Sequence, residues 1–221
     1  VNTAKVWIVE GNQQYINMFQ HQGWEVVSSI EEADLVQFTG GSDVSPDMYG
    51  EKAHPYTSAN PLRDEREARI FRIATHLKKP MAGICRGGQF LNVMCGGWLY
   101  QHVNNHAIHG THTAINVETN CILPVTSTHH QMMRAGLDAR ILGIASESTQ
   151  CENMEGGSLN YHDQEDGTDV EVLFYPKEKV LCFQPHPEYM ELVAPCQKWY
   201  FKLIKDKLGV SADAEDEEGQ G

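Results

Sequence analysis

Short apolar runs alternate with amphipathic ones through the first hundred residues. KVWIVEG (5–11) reads as a strand entering turn chemistry, and NQQYINMFQHQG (12–23) as a helix closed by Gly23. WEVVSS (24–29) and ADLVQFTGG (33–41) are further buried-strand candidates, the second running into the loop Ser42-Asp43-Val44-Ser45-Pro46. Residues 63–78, RDEREARIFRIATHLK, place Ile70, Ile73, Ala74 and Leu77 at helical spacing and predict a helix with its charges on solvated faces. MAGIC (81–85) then reads as a strand, and RGGQFLNVMCGG (86–97) as a helix ended by Gly96-Gly97.

The second half carries a different pattern. TAINVE and CILPVTS are β-like, Ser146 to Gly167 is long, polar and loop-like, and DVEVLFYP (169–176) with KVLCFQP (179–185) predicts a hairpin across Pro176-Lys177-Glu178. A last helix is expected over 188–207, kinked or broken at Pro195. Strands that alternate with helices argue for a parallel sheet covered on both faces; the later strands read as an antiparallel extension of one edge. The expectation is one α/β domain over 1–208 and an acidic, disordered tail over 209–221.

Charge narrows the partners. Thirty acids against seventeen bases give a net charge of −13, with five of those acids in the last eleven residues, a poor footprint for binding nucleic acid. No run approaches the roughly 20 apolar residues of a membrane span, and no secretory leader is read at the start, so the reading is a cytoplasmic protein without a membrane partner. The six cysteines contain no CxxC pair, which favours reduced thiols over a disulfide scaffold or a zinc knuckle.

One cysteine has a setting of its own. Gly83-Ile84-Cys85-Arg86-Gly87 places a thiol between a buried strand and a helix, the cysteine version of the G-x-S-x-G nucleophile elbow. Small flanking residues make room for the strained turn, and the helix N-terminus aims N–H groups and positive dipole at the sulfur, favouring thiolate. A nucleophile needs a base and the base an orienter; Gln184-Pro185-His186-Pro187-Glu188 supplies both, because residues before proline are extended and i, i+2 side chains then share a side. Backbone donors for an oxyanion are expected at Arg86, just after the nucleophile, and at Gly41, in the glycine pair that ends a strand. The histidines at 102, 106, 109 and 112 invite a metal; their spacing is not that of HExxH, no carboxylate lies close in sequence, and thiol hydrolysis needs none, so neither metal nor cofactor is expected.

FTGGSDVSP, GICRGGQFLNVMCGG and FQPHPE together resemble the class I glutamine amidotransferase family, with its Cys-His-Glu triad, over roughly residues 35–190. GGSDVSPDMYGE, NVMCGGWLYQH and STHHQ are most similar to its γ-glutamyl hydrolase branch, which includes enzymes of γ-glutamyl-γ-aminobutyrate. The resemblance implies a flavodoxin-like three-layer sandwich with a mainly parallel sheet. It implies attack by Cys85 on the side-chain amide of glutamine or another γ-glutamyl compound, with His186 as acid and base and Glu188 as its orienter. Gln89 matches a glutamine that holds substrate; His130 and Gln131, with Ser127 nearby, match a segment that grips the substrate's amino acid end, which also accounts for His129. Nothing specific is read from the charge of Arg86.

Three functions follow as expectations. The first is a glutaminase that passes ammonia to a separate ATP-dependent synthetase, since the chain shows no P-loop. The second is a free-standing hydrolase of a γ-glutamyl amine or peptide, built on the same thioester. The third, a silent scaffold, is opposed by the intact Cys85, His186 and Glu188.

Overall fold

A computed structural model describes residues 3–103, 106–146, 150–155, 158–163 and 169–212, with the backbone alone at 108, 109, 150–155 and 158–163. In chain order the elements are β1 (Lys5–Val9), α1 (Gln13–His21), β2 (Glu25–Val27), β3 (Leu35–Phe38), α2 (Pro61–His76), β4 (Met81–Ile84), α3 (Arg86–Met94), β5 (Trp98–Tyr100), β6 (His102–Val103), β7 (Ala107–Asn116), β8 (Ile122–Thr128), β9 (Met132–Arg134), β10 (Arg140–Ala145), β11 (Gln150–Glu155), β12 (Ser158–Asp163), β13 (Val170–Tyr175), β14 (Val180–Phe183) and α4 (Pro195–Leu203).

Nine strands form the central sheet in the order β2-β1-β3-β4-β14-β13-β10-β7-β8. The pairs from β2 to β14 are parallel, and those from β14 through β13, β10 and β7 to β8 are antiparallel. The predicted parallel core, its antiparallel extension and the β13–β14 hairpin are therefore all present. Alternation along the strands divides the core into two layers. Leu35, Ala82, Ile84, Leu181 and Phe183 pack with Tyr15 and Phe19 of α1 and Trp199 and Tyr200 of α4. Val36, Phe38, Met81, Val180 and Cys182 face the other way, toward Ala68 and Phe71 of α2 and Phe90 and Leu91 of α3. The result is a three-layer α/β sandwich.

Three expectations need correction. The buried face of α2 is Arg63, Asp64, Glu67, Ala68, Phe71 and Ala74, whereas Ile73 and Leu77 are exposed. Its charges turn inward because a buried arginine waits there, as described below. Pro195 starts α4 rather than kinking a longer helix, occupying the first position, where an N–H is dispensable. The run 146–167 is not all loop: β11 and β12 pair antiparallel from Gln150↔Asp163 to Glu155↔Ser158, and β11 also pairs with β6. Their polar composition offers no apolar alternation to read. Of the acidic tail, residues 213–221 lie outside the described residues. No described helix is long and apolar enough to cross a membrane.

Candidate active site

Cys85 sits between β4 and α3 with φ +51° and ψ −115°, a left-handed conformation costly for a residue with a side chain. Its neighbours explain how that turn fits. A Cβ on Gly83 would lie 2.4 Å from the Gly87 backbone carbonyl, and one on Gly87 would lie 2.6 Å from the backbone of Phe38. Neither obstacle can swing aside, so both positions exclude any side chain. The Cys85 N–H donates to the Phe183 carbonyl at 2.7 Å, tying the elbow to β14. The thiols of Cys95, Cys182 and Cys196 are pushed up by burial and stay protonated.

β14 delivers the candidate base. Its parallel register with β4 pairs Phe183 with Ile84, so the chain leaving β14 passes beside Cys85. The His186 N–H donates to Thr126 Oγ1 at 2.6 Å, and its ring places Nδ1 2.6 Å from Glu188 Oε1. Burial alone would lower the His186 pKa, but Cys85 and Glu188 outweigh it and raise the pKa to about 10. The imidazole therefore keeps its proton beside the sulfur, with Nδ1–H fixed on the carboxylate.

The glycine loop after β3 closes the opposite side. A Cβ on Gly40 would come within 2.8 Å of His186 Cε1, and Gly41 has φ +145°, so both must be glycine for the loop to approach the imidazole. Two residues that carry no motif hold this loop. The Gly40 N–H donates to the Tyr15 hydroxyl at 2.9 Å, and the Arg63 guanidinium donates to the carbonyls of Gly40 and Thr39, both at 3.0 Å. Arg63 is in turn paired with Glu67 at 2.8 Å and Glu10 at 3.4 Å. The Arg86 side chain, from whose charge nothing specific is read in the sequence, is fully buried beneath the elbow and paired with Asp64 and Glu67. Asp64 also accepts from the Ser45 N–H at 3.1 Å, linking α3 through α2 to the SDVSP loop. The Arg86 N–H, in the first turn of α3, has no intrahelical acceptor.

The remaining predicted residues separate into two groups. Gln89 Nε2 donates to the Gln131 carbonyl at 3.0 Å and to Gln184 Oε1 at 3.1 Å, so α3, the STHHQ segment and the end of β14 meet beside the elbow. Both polar atoms of the Gln131 side chain are buried without a hydrogen-bond partner among the described residues. His130 reaches Asp43 of the GGSD loop at 3.0 Å. Ser127 instead points inward and donates to the His106 carbonyl at 2.8 Å. His129 also turns inward, to Gln131 and Glu171 rather than to the substrate side. The absence of a carboxylate near the histidines holds only along the chain: folding brings Asp169 and Glu171 against His106 and His112. The side chain of His109 lies outside the described residues.

A cysteine just beyond a central parallel strand and a histidine beyond its neighbour, on a sheet that turns antiparallel at one edge, define a class I glutamine amidotransferase-like fold. The match to the Peptidase C26 family spans residues 11–188, and the chain belongs to that family, within its γ-glutamyl hydrolase branch. It is similar to the glutamine amidotransferase-like protein YvdE homolog of Lactococcus lactis subsp. cremoris, 36% identical over 104 residues, covering 42% of this chain and 55% of that protein. It is also similar to a candidate glutamine amidotransferase of Schizosaccharomyces pombe, 28% identical over 193 residues, covering 76% and 72%. The chain spans about half the length of the first curated relatives it matches. A solved glutamine amidotransferase from Thermotoga maritima shares the fold, with a TM-score of 0.60 at 16% identity over 95% of this chain and 85% of that one.

Proposed function

We propose that the protein is an amidohydrolase that cleaves the γ-amide of glutamine through a γ-glutamyl thioester on Cys85 and supplies the ammonia to a separate synthetase. The observation that carries the chemistry is the elbow cysteine facing a protonated, Glu188-bound His186. The Cys85 thiolate attacks the γ-carbonyl carbon, and the N–H groups of Gly41 and Arg86 receive the oxyanion. His186 gives its proton to the departing nitrogen, so the C–N bond breaks and ammonia leaves. The neutral imidazole then takes a proton from water; hydroxide attacks the thioester, the C–S bond breaks, and glutamate and thiolate are regenerated. Gln89 and Gln131 border the space for the substrate, and His130 borders it from the GGSD side.

A second reading, free-standing hydrolysis of a γ-glutamyl amine or peptide, is favoured by the family match and needs no synthetase. Both readings share every step up to the thioester and differ in the leaving group. Glutamate release from glutamine and from a panel of γ-glutamyl amines and peptides separates them. The expected result is Cys85-dependent turnover, with glutamine preferred for the first reading and one γ-glutamyl amine preferred for the second. Release that is equal in wild type and Cys85→Ala would refute both.

A further inference from the structure

Beneath the substrate-side segment lies a second cluster of chemistry that the proposed reaction does not use. His106, His112 on β7, His129 just past β8 and Glu171 on β13 converge there from three parts of the chain. His106 Nε2 lies 2.6 Å from Asp169 Oδ2, so in the neutral ring that nitrogen carries the proton. Its Nδ1 is then a bare lone pair 3.6 Å from Glu171 Oε1. His129 donates Nδ1–H to the Gln131 carbonyl at 2.9 Å, which leaves Nε2 3.8 Å from the same carboxylate oxygen. His112 Nε2 is 2.9 Å from it.

Three nitrogens thus surround one buried oxygen, and several atoms of the cluster have no other partner among the described residues. Among the described residues, His106 Nδ1, His129 Nε2 and Glu171 Oε2 are buried without a hydrogen-bond partner, in side chains only 4%, 2% and 0% exposed. Bare lone pairs facing a carboxylate repel it; a proton or a cation must lie between them.

We propose that His106 Nδ1, His112 Nε2 and Glu171 Oε1, joined by His129 Nε2, hold one divalent transition-metal ion, with zinc the best fit to the donor set. The His106, His112 and Glu171 donors already lie within 4.8 Å of one another. Donors on tetrahedral zinc stand about 3.3 Å apart, so these three need only a modest contraction, and His129 Nε2, 3.8 Å from Glu171 Oε1, must move in to complete the set. Imidazole with one carboxylate suits zinc and disfavours calcium or magnesium. Two of the three rings have the outer-shell partner such sites use: Asp169 orients His106 and the Gln131 carbonyl orients His129, each from the far ring nitrogen, while His112 Nδ1 has no partner among the described residues. On binding, the His112 proton shifts from Nε2 to Nδ1, so no net charge leaves the ring. The ion is structural: it pins β7, the 127–131 segment and β13 to one another without touching Cys85.

The test uses the full chain carrying Cys85→Ala, so that the nucleophile cannot contribute a ligand. After dialysis against EDTA it is titrated with Co2+ and Zn2+, following visible Co2+ absorption, metal per chain by native mass spectrometry, and Tm. One ion per chain is expected, with a four-coordinate Co2+ spectrum erased by Zn2+ and a Tm that rises with zinc concentration. His112→Ala and Glu171→Gln should each weaken binding at least tenfold. Should Glu171→Gln fail to fold, His112→Ala, in a side chain 16% exposed, decides together with the parent titration. Two results overturn the proposal: no Co2+ spectrum and no Tm shift, which would mean that protonated rings pair with Asp169 and Glu171, or an affinity that neither variant changes, which would place the ion elsewhere, for example on exposed Cys121.

Discussion

His186 shows how a few contacts set the protonation state on which the proposed chemistry turns. Its pKa is raised from the ordinary 6.5 to about 10, so its electrostatic contribution is complete below about pH 6.5 and is lost as pH climbs through about 10. The alkaline limb of kcat/KM for a γ-glutamyl substrate is therefore expected near pH 10; a limb near 7 would show that the imidazole is not held protonated. Tyr15 is a positioning residue for the loop opposite. Tyr15→Phe leaves the Gly40 N–H without its acceptor, a loss worth about 1–3 kcal/mol. A fall in kcat/KM of about tenfold is expected, with kcat carrying most of it and the Cys85 alkylation rate little changed; an unaltered kcat would remove Tyr15 from the site. These two residues mark what could be read beforehand. Cys85, His186 and Glu188 are legible because local features constrain them: glycines at fixed offsets, and prolines that force extension. Tyr15 and Arg63 are not, since each meets the glycine loop across more than twenty residues of chain that carry no hint of the meeting.

α2 shows why an element can be found in the sequence and still be turned the wrong way. Its helical spacing is visible in Ile70, Ile73 and Ala74, but the face that packs is chosen by Arg86. Burying that guanidinium under the elbow requires Asp64 and Glu67 to point inward, and Ile73 and Leu77 are rotated to solvent as a result. Arg86→Met should therefore cost about 3–5 kcal/mol, because it takes the guanidinium from two buried carboxylates and leaves Asp64 only Ser45 and Glu67 only Arg63 among the described residues. Urea unfolding measures this, and a change below about 1 kcal/mol would mean that water reaches the acids. The β11–β12 hairpin was hidden for the opposite reason: polar strands on a small sheet show no apolar face, so their backbone pairing leaves no trace in hydropathy.

At the scale of the molecule, the broad architecture was readable because its parallel strands are buried on both faces and write continuous apolar runs. The convergence of His106, His112 and His129 on Glu171 was not, since its acid comes from a strand about sixty residues further along the chain. The parallel pairing of Ile84 with Phe183 has one more implication. The sulfur and the imidazole are mounted on hydrogen-bonded neighbours, whose separation of about 4.8 Å is a constant of β-structure. Under the proposed function the reacting pair is thus machined into the rigid middle of the sandwich, while Gln131 and His130 come to it from the segment after β8. On the proposed chemistry, redirecting this scaffold toward a new amide would leave the β4–β14 pair alone and vary the residues that border it, since the strands from 98 to 163 include β7, β8 and β10 of the central sheet itself.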